Sequence, residues 1–199
     1  VVTATSRIAM PEMAIGLYPD VGASWFLNRM PAGCGLFLGL TGASINAADA
    51  KFIGLADNFL LHERKDALLQ KLLGINWGDT IALNHQKLSD VLRSEEDQCR
   101  TQMPLSNIRP HQGAIETLAN LKSLPAVIAS VNAMQGEDKW LQKAKESLAY
   151  GSPITAHIVF ELLKLGQSKI LADSFRLELG LSVQCGKLGE FTEGVRALL

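Results

Sequence analysis

Helical spacing of apolar positions dominates the chain from about residue 62 onward. Ile154, Ile158 and Leu162 recur every fourth residue, a spacing typical of a helix that buries one face. Ser152 and Pro153 precede them as a capping serine and a first-turn proline. The same spacing, or a run of strong helix formers, predicts helices over residues 63–73, 80–101, 112–121, 123–134, 136–149, 153–165, 169–185 and 188–199.

The start of the chain shows a different pattern. Residues 1–10 alternate loosely and contain Val and Thr, which predicts one or two short strands, and residues 57–61 predict another. Short helical stretches lie between them and are interrupted by glycine. The predicted fold is therefore α-rich α/β, with an α/β core segment over residues 1–61 and a helical domain over residues 62–199.

A loop over residues 10–22 interrupts these elements. It holds two prolines and two glycines in thirteen residues, so it cannot form a regular element, yet most of its side chains are apolar. Two carboxylates, Glu12 and Asp20, lie eight residues apart in this loop. A fully extended chain would separate them by roughly 26–29 Å. Bends at Gly16 and Pro19 would instead bring both carboxylates to one pocket.

Paired carboxylates in an apolar pocket suit proton transfer, activation of water or direct attack on an acyl carbon, because each disfavours ionisation of the other. The pattern alone leaves a second interpretation open. In that interpretation Asp20 only caps the helix that follows, and Glu12 lies in a first helical turn after Pro11. The first interpretation predicts an active site, whereas the second predicts local structure and nothing more.

Composition narrows the classes of function. The chain has 19 Lys and Arg against 20 Asp and Glu, and this balance argues against nucleic acid as a main partner. No apolar run approaches the ~18 residues of a membrane span. The three cysteines and four histidines are dispersed, so we expect no metal site. The acidic residues 95–97 are predicted to lie on a solvated face.

Three stretches resemble the crotonase (enoyl-CoA hydratase/isomerase) superfamily. They read MPEMAIGLYPDVG at residues 10–22, LTGASINAADAKFIGLADNFL at residues 40–60, and EFTEGVRALL at residues 190–199. Among the branches of this superfamily, the 3-hydroxyisobutyryl-CoA hydrolases have the sequence motifs that these stretches resemble most. These hydrolases carry Asp at the position of Asp20, where typical hydratases carry Gly. The resemblance implies that the α/β segment is the end of a crotonase-like spiral core.

The resemblance also implies roles for four residues of the loop. Glu12 would be the catalytic carboxylate, acting as nucleophile or general base toward a thioester carbonyl. Asp20 would bind the substrate's hydroxyl group or orient water. Gly16 and Leu17 would shape the pocket wall, so that all four residues contribute to binding of an acyl-CoA substrate. No cofactor is expected, because coenzyme A is part of the substrate.

The implied function is hydrolysis of an acyl-CoA thioester, namely 3-hydroxyisobutyryl-CoA in valine degradation. An enoyl-CoA hydratase or a dienoyl-CoA isomerase is the alternative among enzymes. Either would convert a CoA ester without releasing free CoA, so an assay of thiol release distinguishes them from a hydrolase. A non-catalytic helical assembly module is the alternative from another class, and it would need neither Glu12 nor Asp20. The expected location is the cytoplasm, or the mitochondrial matrix in a eukaryote.

Both ends of the chain fall inside predicted elements, so we expect a piece of a longer protein. The resemblance implies that an N-terminal half, with the glycine-rich oxyanion-hole loop, precedes Val1. Loss of one oxyanion donor can cost ~10²–10³ in rate, so the chain alone is expected to be inactive. The expected partners are the acyl-CoA substrate, this N-terminal half and further copies of the chain. The apolar faces around residues 1–10 and 188–199 should be exposed or covered by another chain.

Overall fold

A computed structural model describes residues 1–199, and helices make up most of it. The α-helices are α1 Ala23–Phe26, α2 Cys34–Thr41, α3 Ala47–Phe52, α4 Lys65–Leu73, α5 Ile81–Asp97, α6 Gln112–Thr117, α7 Leu124–Ala133, α8 Lys139–Tyr150, α9 Pro153–Gly166, α10 Leu171–Lys187 and α11 Glu190–Leu198. Two short strands are β1 Val2–Thr3 and β2 Phe59–Leu60. Single 3-10 turns occupy Glu12–Ile15, Leu27–Arg29, His62–Arg64, Arg100–Gln102, Arg109–His111 and Leu118–Asn120. The α-rich α/β class that the sequence predicts is confirmed.

The predicted elements are present, with small shifts at their ends. Each of the eight stretches with helical spacing contains an α-helix, and α9 begins at Pro153 with the Ser152 side chain accepting a bond from the Thr155 N–H. The two strands pair in parallel, with Val2 opposite Phe59, and no strand follows β2. None of the helices combines the length and apolar character that crossing a bilayer requires.

The residues form two compact units. The first consists of Val1–Ile8 and Ile45–Arg109, and it contains the sheet and helices α3 to α5. The second consists of Ala9–Ser44 and Pro110–Leu199, and it contains all the other helices. Residue 61, where the sequence predicts a domain boundary, lies inside the first unit. That boundary follows from sequence character and stays a prediction.

A buried aspartate organises the first unit. Asp49 in α3 is fully buried and accepts hydrogen bonds from Ser106 Oγ at 2.6 Å, Asn107 Nδ2 at 2.8 Å and the Ile108 N–H at 3.0 Å. It also forms a capping box with Asn46 at the start of the helix. Because these donors replace the lost water, Asp49 joins the 106–108 segment to α3 and has a structural role.

The acidic run in α5 is only partly a solvated face: the prediction is wrong for Glu95 and Glu96, whereas Asp97 is exposed. Glu95 and Glu96 are both buried. Glu95 pairs with Lys71 and, at 2.8 Å, with Arg64, while Glu96 pairs with Lys51. The hydrogen bond from Lys71 is the largest cause that lowers the pKa of the Glu95 carboxyl, and Arg64 adds to it. Distant basic residues therefore neutralise charges that the local sequence assigns to the surface.

The second unit is built on a helical core. Helix α2 packs against α8 and α9, and the side chains of Phe37, Leu40, Leu141 and Val159 are buried there. Helix α1 packs against both α9 and α10. The loop over residues 10–22 belongs to this unit and leads directly into α1. Its carboxylates are therefore placed by the helices of the C-terminal part of the chain.

Candidate active site

The loop over residues 10–22 turns back immediately after Glu12. A single 3-10 turn runs over Glu12–Ile15, and Gly16 follows in the left-handed region at φ 67°. A residue without a Cβ adopts this conformation at no steric cost. The Leu17 N–H then donates to the Glu12 carbonyl at 3.1 Å. The bend that the sequence predicts at Gly16 is therefore present.

Glu12 combines partial burial with a free oxygen. Its side chain is half-buried, and the Oε2 atom is buried without a hydrogen-bond partner. Burial raises the pKa of this carboxyl above its ordinary value, a hydrogen bond from its own backbone opposes the shift, and the negative charge of Asp20 adds to it. The two carboxylates thus lie within electrostatic reach of each other. A poorly hydrated carboxylate with a free oxygen suits proton abstraction or attack on an electrophilic carbon.

Asp20 is half-exposed and does not cap the helix that follows it. Helix α1 begins at Ala23, and its N-cap residue is Gly22, which has no side chain to contribute. The prediction of Asp20 as a helix cap is therefore wrong. Between Asp20 and Gly22, Val21 adopts φ 53°, a left-handed conformation that is uncommon for a β-branched residue. The Asp20 side chain is consequently not engaged in capping.

The cap of α1 comes instead from α10. Glu178 is 3% exposed, and its Oε2 atom accepts the Gly22 N–H at 2.7 Å. Its Oε1 atom accepts the Ser24 N–H at 2.9 Å and the Ser24 hydroxyl at 2.6 Å. A carboxylate at the start of a helix satisfies N–H groups that otherwise have no partner. Glu178 thereby attaches the end of the loop to α10.

A second connection joins the loop to α10 on the other side of Asp20. Tyr18 is fully buried, and its hydroxyl donates to the backbone carbonyl of Glu178 and lies 2.8 Å from Ser182 Oγ. Burial is the main cause that raises the pKa of Tyr18 to about 12, so the phenol stays protonated at neutral pH. Contacts with α10 thus hold the loop both before and after Asp20.

Helix α11 packs directly on the turn that carries Glu12. A Cβ atom at Gly194 would overlap the backbone carbonyl of Ile15, and one at Gly16 would overlap the carbonyl of Glu190. Two glycines on opposing elements thus allow the backbones to approach closely. The side chain of Glu190 also accepts hydrogen bonds from Ser152 and, at 3.4 Å, from Thr155.

Glu178 and Glu190 contact the loop but are not among the site residues that the sequence predicts. Glu178 lies in an ordinary amphipathic helical pattern, 158 positions after Asp20, and nothing local distinguishes it. Glu190 belongs to the EFTEGVRALL stretch, whose sequence indicates a family resemblance but no role for this residue. Gly16 is buried and Leu17 is half-buried, and their role in a pocket wall stays a prediction.

The second unit also contains a cavity of about 540 Å³ away from the two carboxylates. Residues of α2, α9 and the Leu118–Asn120 turn line it, and neither Glu12 nor Asp20 takes part. No group of three or more His, Cys, Asp or Glu side chains is arranged to hold a metal ion.

Comparison with known proteins assigns the whole chain to one family model. The model described as "Enoyl-CoA hydratase/isomerase" matches residues 1–199. A solved structure described as a carnitinyl-CoA dehydratase from Mycobacterium thermoresistibile superposes with a TM-score of 0.78 at 27% identity, covering 98% of this chain and 53% of that one. The fold is thus shared with a protein described as a carnitinyl-CoA dehydratase.

Two curated relatives differ in what their names describe. The chain is 32% identical over 200 residues to "3-hydroxyisobutyryl-CoA hydrolase, mitochondrial" of Xenopus tropicalis, covering 100% of this chain and 50% of that protein. It is 31% identical over 209 residues to "Small ribosomal subunit protein mS47" of Neurospora crassa, covering 100% of this chain and 41% of that protein. The chain spans about half the length of the curated relatives it matches.

Proposed function

Because the chain belongs to the enoyl-CoA hydratase/isomerase family, we propose that it supplies the catalytic carboxylates of an acyl-CoA thioester hydrolase. The observation that carries this proposal is Glu12, whose buried Oε2 has no partner and whose pKa is raised by burial and by Asp20. The proposed substrate is 3-hydroxyisobutyryl-CoA. The name of the Xenopus relative supports this choice, as does Asp20 in a stretch that resembles the hydrolase branch.

Glu12 would act on the thioester in one of two ways. As a nucleophile, its carboxylate oxygen bonds to the acyl carbon, the carbon–sulfur bond breaks, and CoA leaves as a thiolate; water then hydrolyses the mixed anhydride. As a general base, Glu12 takes a proton from water while the hydroxide bonds to the acyl carbon and CoA leaves. Either route adds one water to the thioester and yields a free acid and CoA.

Asp20 would accept a hydrogen bond from the hydroxyl group of the substrate or orient the attacking water. Its partial exposure is compatible with contact to a ligand. Thioester hydrolysis transfers no electrons and needs no electron sink, so we propose that the site uses no cofactor. The names of two eukaryotic relatives contain the word "mitochondrial", which supports a mitochondrial location if the protein comes from a eukaryote. If it comes from a bacterium, we propose a cytoplasmic location.

The test replaces Glu12 with Gln in the complete protein that contains this chain. Glu12→Gln keeps the size of the side chain but can neither abstract a proton nor attack the acyl carbon. Release of CoA thiol from 3-hydroxyisobutyryl-CoA should fall by at least ~10²-fold, the scale of a lost acid–base group. The matched control is Glu161→Gln, because Glu161 is exposed on α9 and pairs only with its neighbour Lys164.

Near-normal thiol release by Glu12→Gln would contradict the role of Glu12. An equally large decrease of thiol release in the Glu161→Gln control would also contradict it. Conversion of an enoyl-CoA without thiol release would instead identify a hydratase or isomerase. In single-turnover hydrolysis in ¹⁸O-labelled water, label in the Glu12 carboxyl would identify the nucleophile route, because the general-base route places the label only in the released acid.

A non-catalytic assembly module is the second candidate, and the name of the Neurospora relative favours it. Such a module would use the helical faces of the chain and would not depend on either carboxylate. The complete protein would then show no turnover of hydroxyacyl-CoA or enoyl-CoA substrates. It would also co-sediment with a large assembly, and the double variant with Glu12→Gln and Asp20→Asn would do so equally well.

A further inference from the structure

Glu178 contacts the loop on both sides of Asp20. The hydroxyl of Tyr18, two residues before Asp20, donates to the Glu178 backbone carbonyl. The N–H of Gly22, two residues after Asp20, donates to the Glu178 carboxylate at 2.7 Å. One residue of α10 thus sets both ends of a five-residue segment whose centre is Asp20.

The segment between these contacts is held in a conformation that its sequence disfavours. Val21 follows Asp20 at φ 53°, where a β-branched side chain meets the backbone. Such a conformation persists only where the surrounding structure determines it. The bonds from Gly22 and Ser24 to Glu178 follow directly after Val21 and supply that constraint.

The charge of Glu178 is not used in an ion pair. It is 3% exposed and contacts no Lys, Arg or His side chain within ion-pair distance. A carboxylate in this position loses its water and recovers hydrogen bonds only from the start of α1. An apolar residue would avoid that cost but would leave the donors of Gly22 and Ser24 without an acceptor, so the carboxylate serves to hold this part of the loop.

We infer that Glu178 is a positioning residue that fixes the Asp20 carboxylate where it meets the hydroxyl group of the substrate. The identity of the substrate in this inference rests on the proposed function. The fixing of the loop by Glu178 rests only on the hydrogen bonds with Tyr18, Gly22 and Ser24. It predicts that disturbing Glu178 impairs recognition of the hydroxyl group more than it impairs hydrolysis as such.

The test compares two thioesters in the complete protein, 3-hydroxyisobutyryl-CoA and isobutyryl-CoA, which lacks the hydroxyl group. In Glu178→Gln the amide oxygen still accepts from Ser24, but the amide N–H group opposes the Gly22 N–H. We expect kcat/KM for the hydroxylated thioester to fall about 10- to 100-fold, the scale of a displaced catalytic group. For isobutyryl-CoA we expect a fall of less than about 3-fold, so the preference for the hydroxyl group is lost.

Two further variants separate positioning from general stability. Val21→Gly removes the side chain that disfavours φ 53°, so adding it to Glu178→Gln should restore part of the hydroxyl preference. Glu161→Gln makes the same chemical change at an exposed site and should leave both substrates unaffected. If Glu178→Gln does not fold, Ser24→Ala gives the same comparison at smaller amplitude, because it removes only the hydroxyl bond.

Hydrogen–deuterium exchange at residues 18–24 provides a readout that needs no substrate. The amides of Gly22 and Ser24 should exchange faster in Glu178→Gln than in the wild type. Equal losses on both thioesters, or unchanged exchange, would overturn the inference. A wild type that hydrolyses neither thioester would overturn the proposed function and the substrate part of the inference, and exchange would still decide whether Glu178 holds the loop.

Discussion

Glu12 differs from the other buried acids of the chain in its hydrogen bonding. Asp49, Glu95, Glu96 and Glu178 are more deeply buried, yet each receives hydrogen bonds from backbone or side-chain donors. Glu12 keeps a buried oxygen without a donor. Buried polar groups are satisfied as a rule, so an exception is a candidate for function. The contrast separates four acids with structural hydrogen bonds from Glu12, whose Oε2 atom has no partner.

The same feature predicts how stability depends on pH. Because burial raises the pKa of Glu12 in the folded state, the folded protein binds a proton more readily there than the unfolded chain does. The contribution of Glu12 to stability is therefore fully present below its ordinary pKa of 4.5 and is lost as pH rises through the raised value. Ionised Glu12 destabilises the fold at neutral pH.

Glu12→Gln should therefore stabilise the complete protein at pH 7, and the gain should shrink toward pH 4. Thermal unfolding at several pH values checks this, with Glu161→Gln as a control that should show no such trend. A gain that is independent of pH, or a loss of stability at pH 7, would contradict the buried position of the charge.

At the scale of elements, α11 acts as a cover on the turn that carries Glu12. The contact depends on Gly194, where a Cβ would overlap the Ile15 carbonyl. Gly180 in α10 offers a matched comparison, because nothing lies within 4 Å of a Cβ placed there. The two glycines occupy helix interiors and differ in what faces them.

Gly194→Ala should destabilise the complete protein by about 1–3 kcal/mol, because a methyl group is forced against backbone. Gly180→Ala should be neutral or stabilise it by up to about 1 kcal/mol, since alanine loses less entropy in a helix. Urea unfolding measures both effects. Thiol release should fall only in Gly194→Ala, through displacement of the Glu12 turn. Equal behaviour of the two variants would show that α11 does not constrain the turn.

At the scale of the molecule, thioester hydrolysis requires hydrogen-bond donors to the thioester oxygen as well as catalytic carboxylates. The developing negative charge on the thioester oxygen needs hydrogen-bond donors, and each such donor is worth ~10²–10³ in rate. The chain spans about half the length of its curated relatives, and we propose that the other half supplies these donors.

The 199-residue chain expressed alone should therefore release no CoA above background, although Glu12 and Asp20 are present. The complete protein at the same concentration should be active in the same thiol assay. Thiol release by the isolated chain within about tenfold of the complete protein would show that these residues suffice and that the oxyanion donors lie inside the chain.

The isolated chain also exposes large apolar side chains from the end of α10 to its last residue. Leu188, Leu198 and Leu199 are each more than 60% exposed. The expectation that the face around residues 188–199 is open in this chain agrees with these values, and what covers it stays a prediction.

The sequence by itself determined the local elements of this protein. Period and capping residues predicted the eight helices from residue 62 onward, and the prolines and glycines of residues 10–22 predicted a loop with a bend at Gly16. These features depend on neighbours within a few positions, and a sequence pattern records such neighbours directly. The wording of the loop also indicated the family, which the match over residues 1–199 confirms.

Only the tertiary structure decided which acids are buried and what each one contacts. Glu95 lies in a run of acidic residues, yet it is buried and forms ion pairs with Arg64 and Lys71. Glu178 replaces Asp20 as the cap of α1 from 154 residues away, counted to Ser24. Such contacts depend on how helices pack, and packing follows from the sum of many apolar contacts rather than from any local spacing. The partner of a charge far along the chain is therefore set by the fold and leaves no mark in the sequence around it.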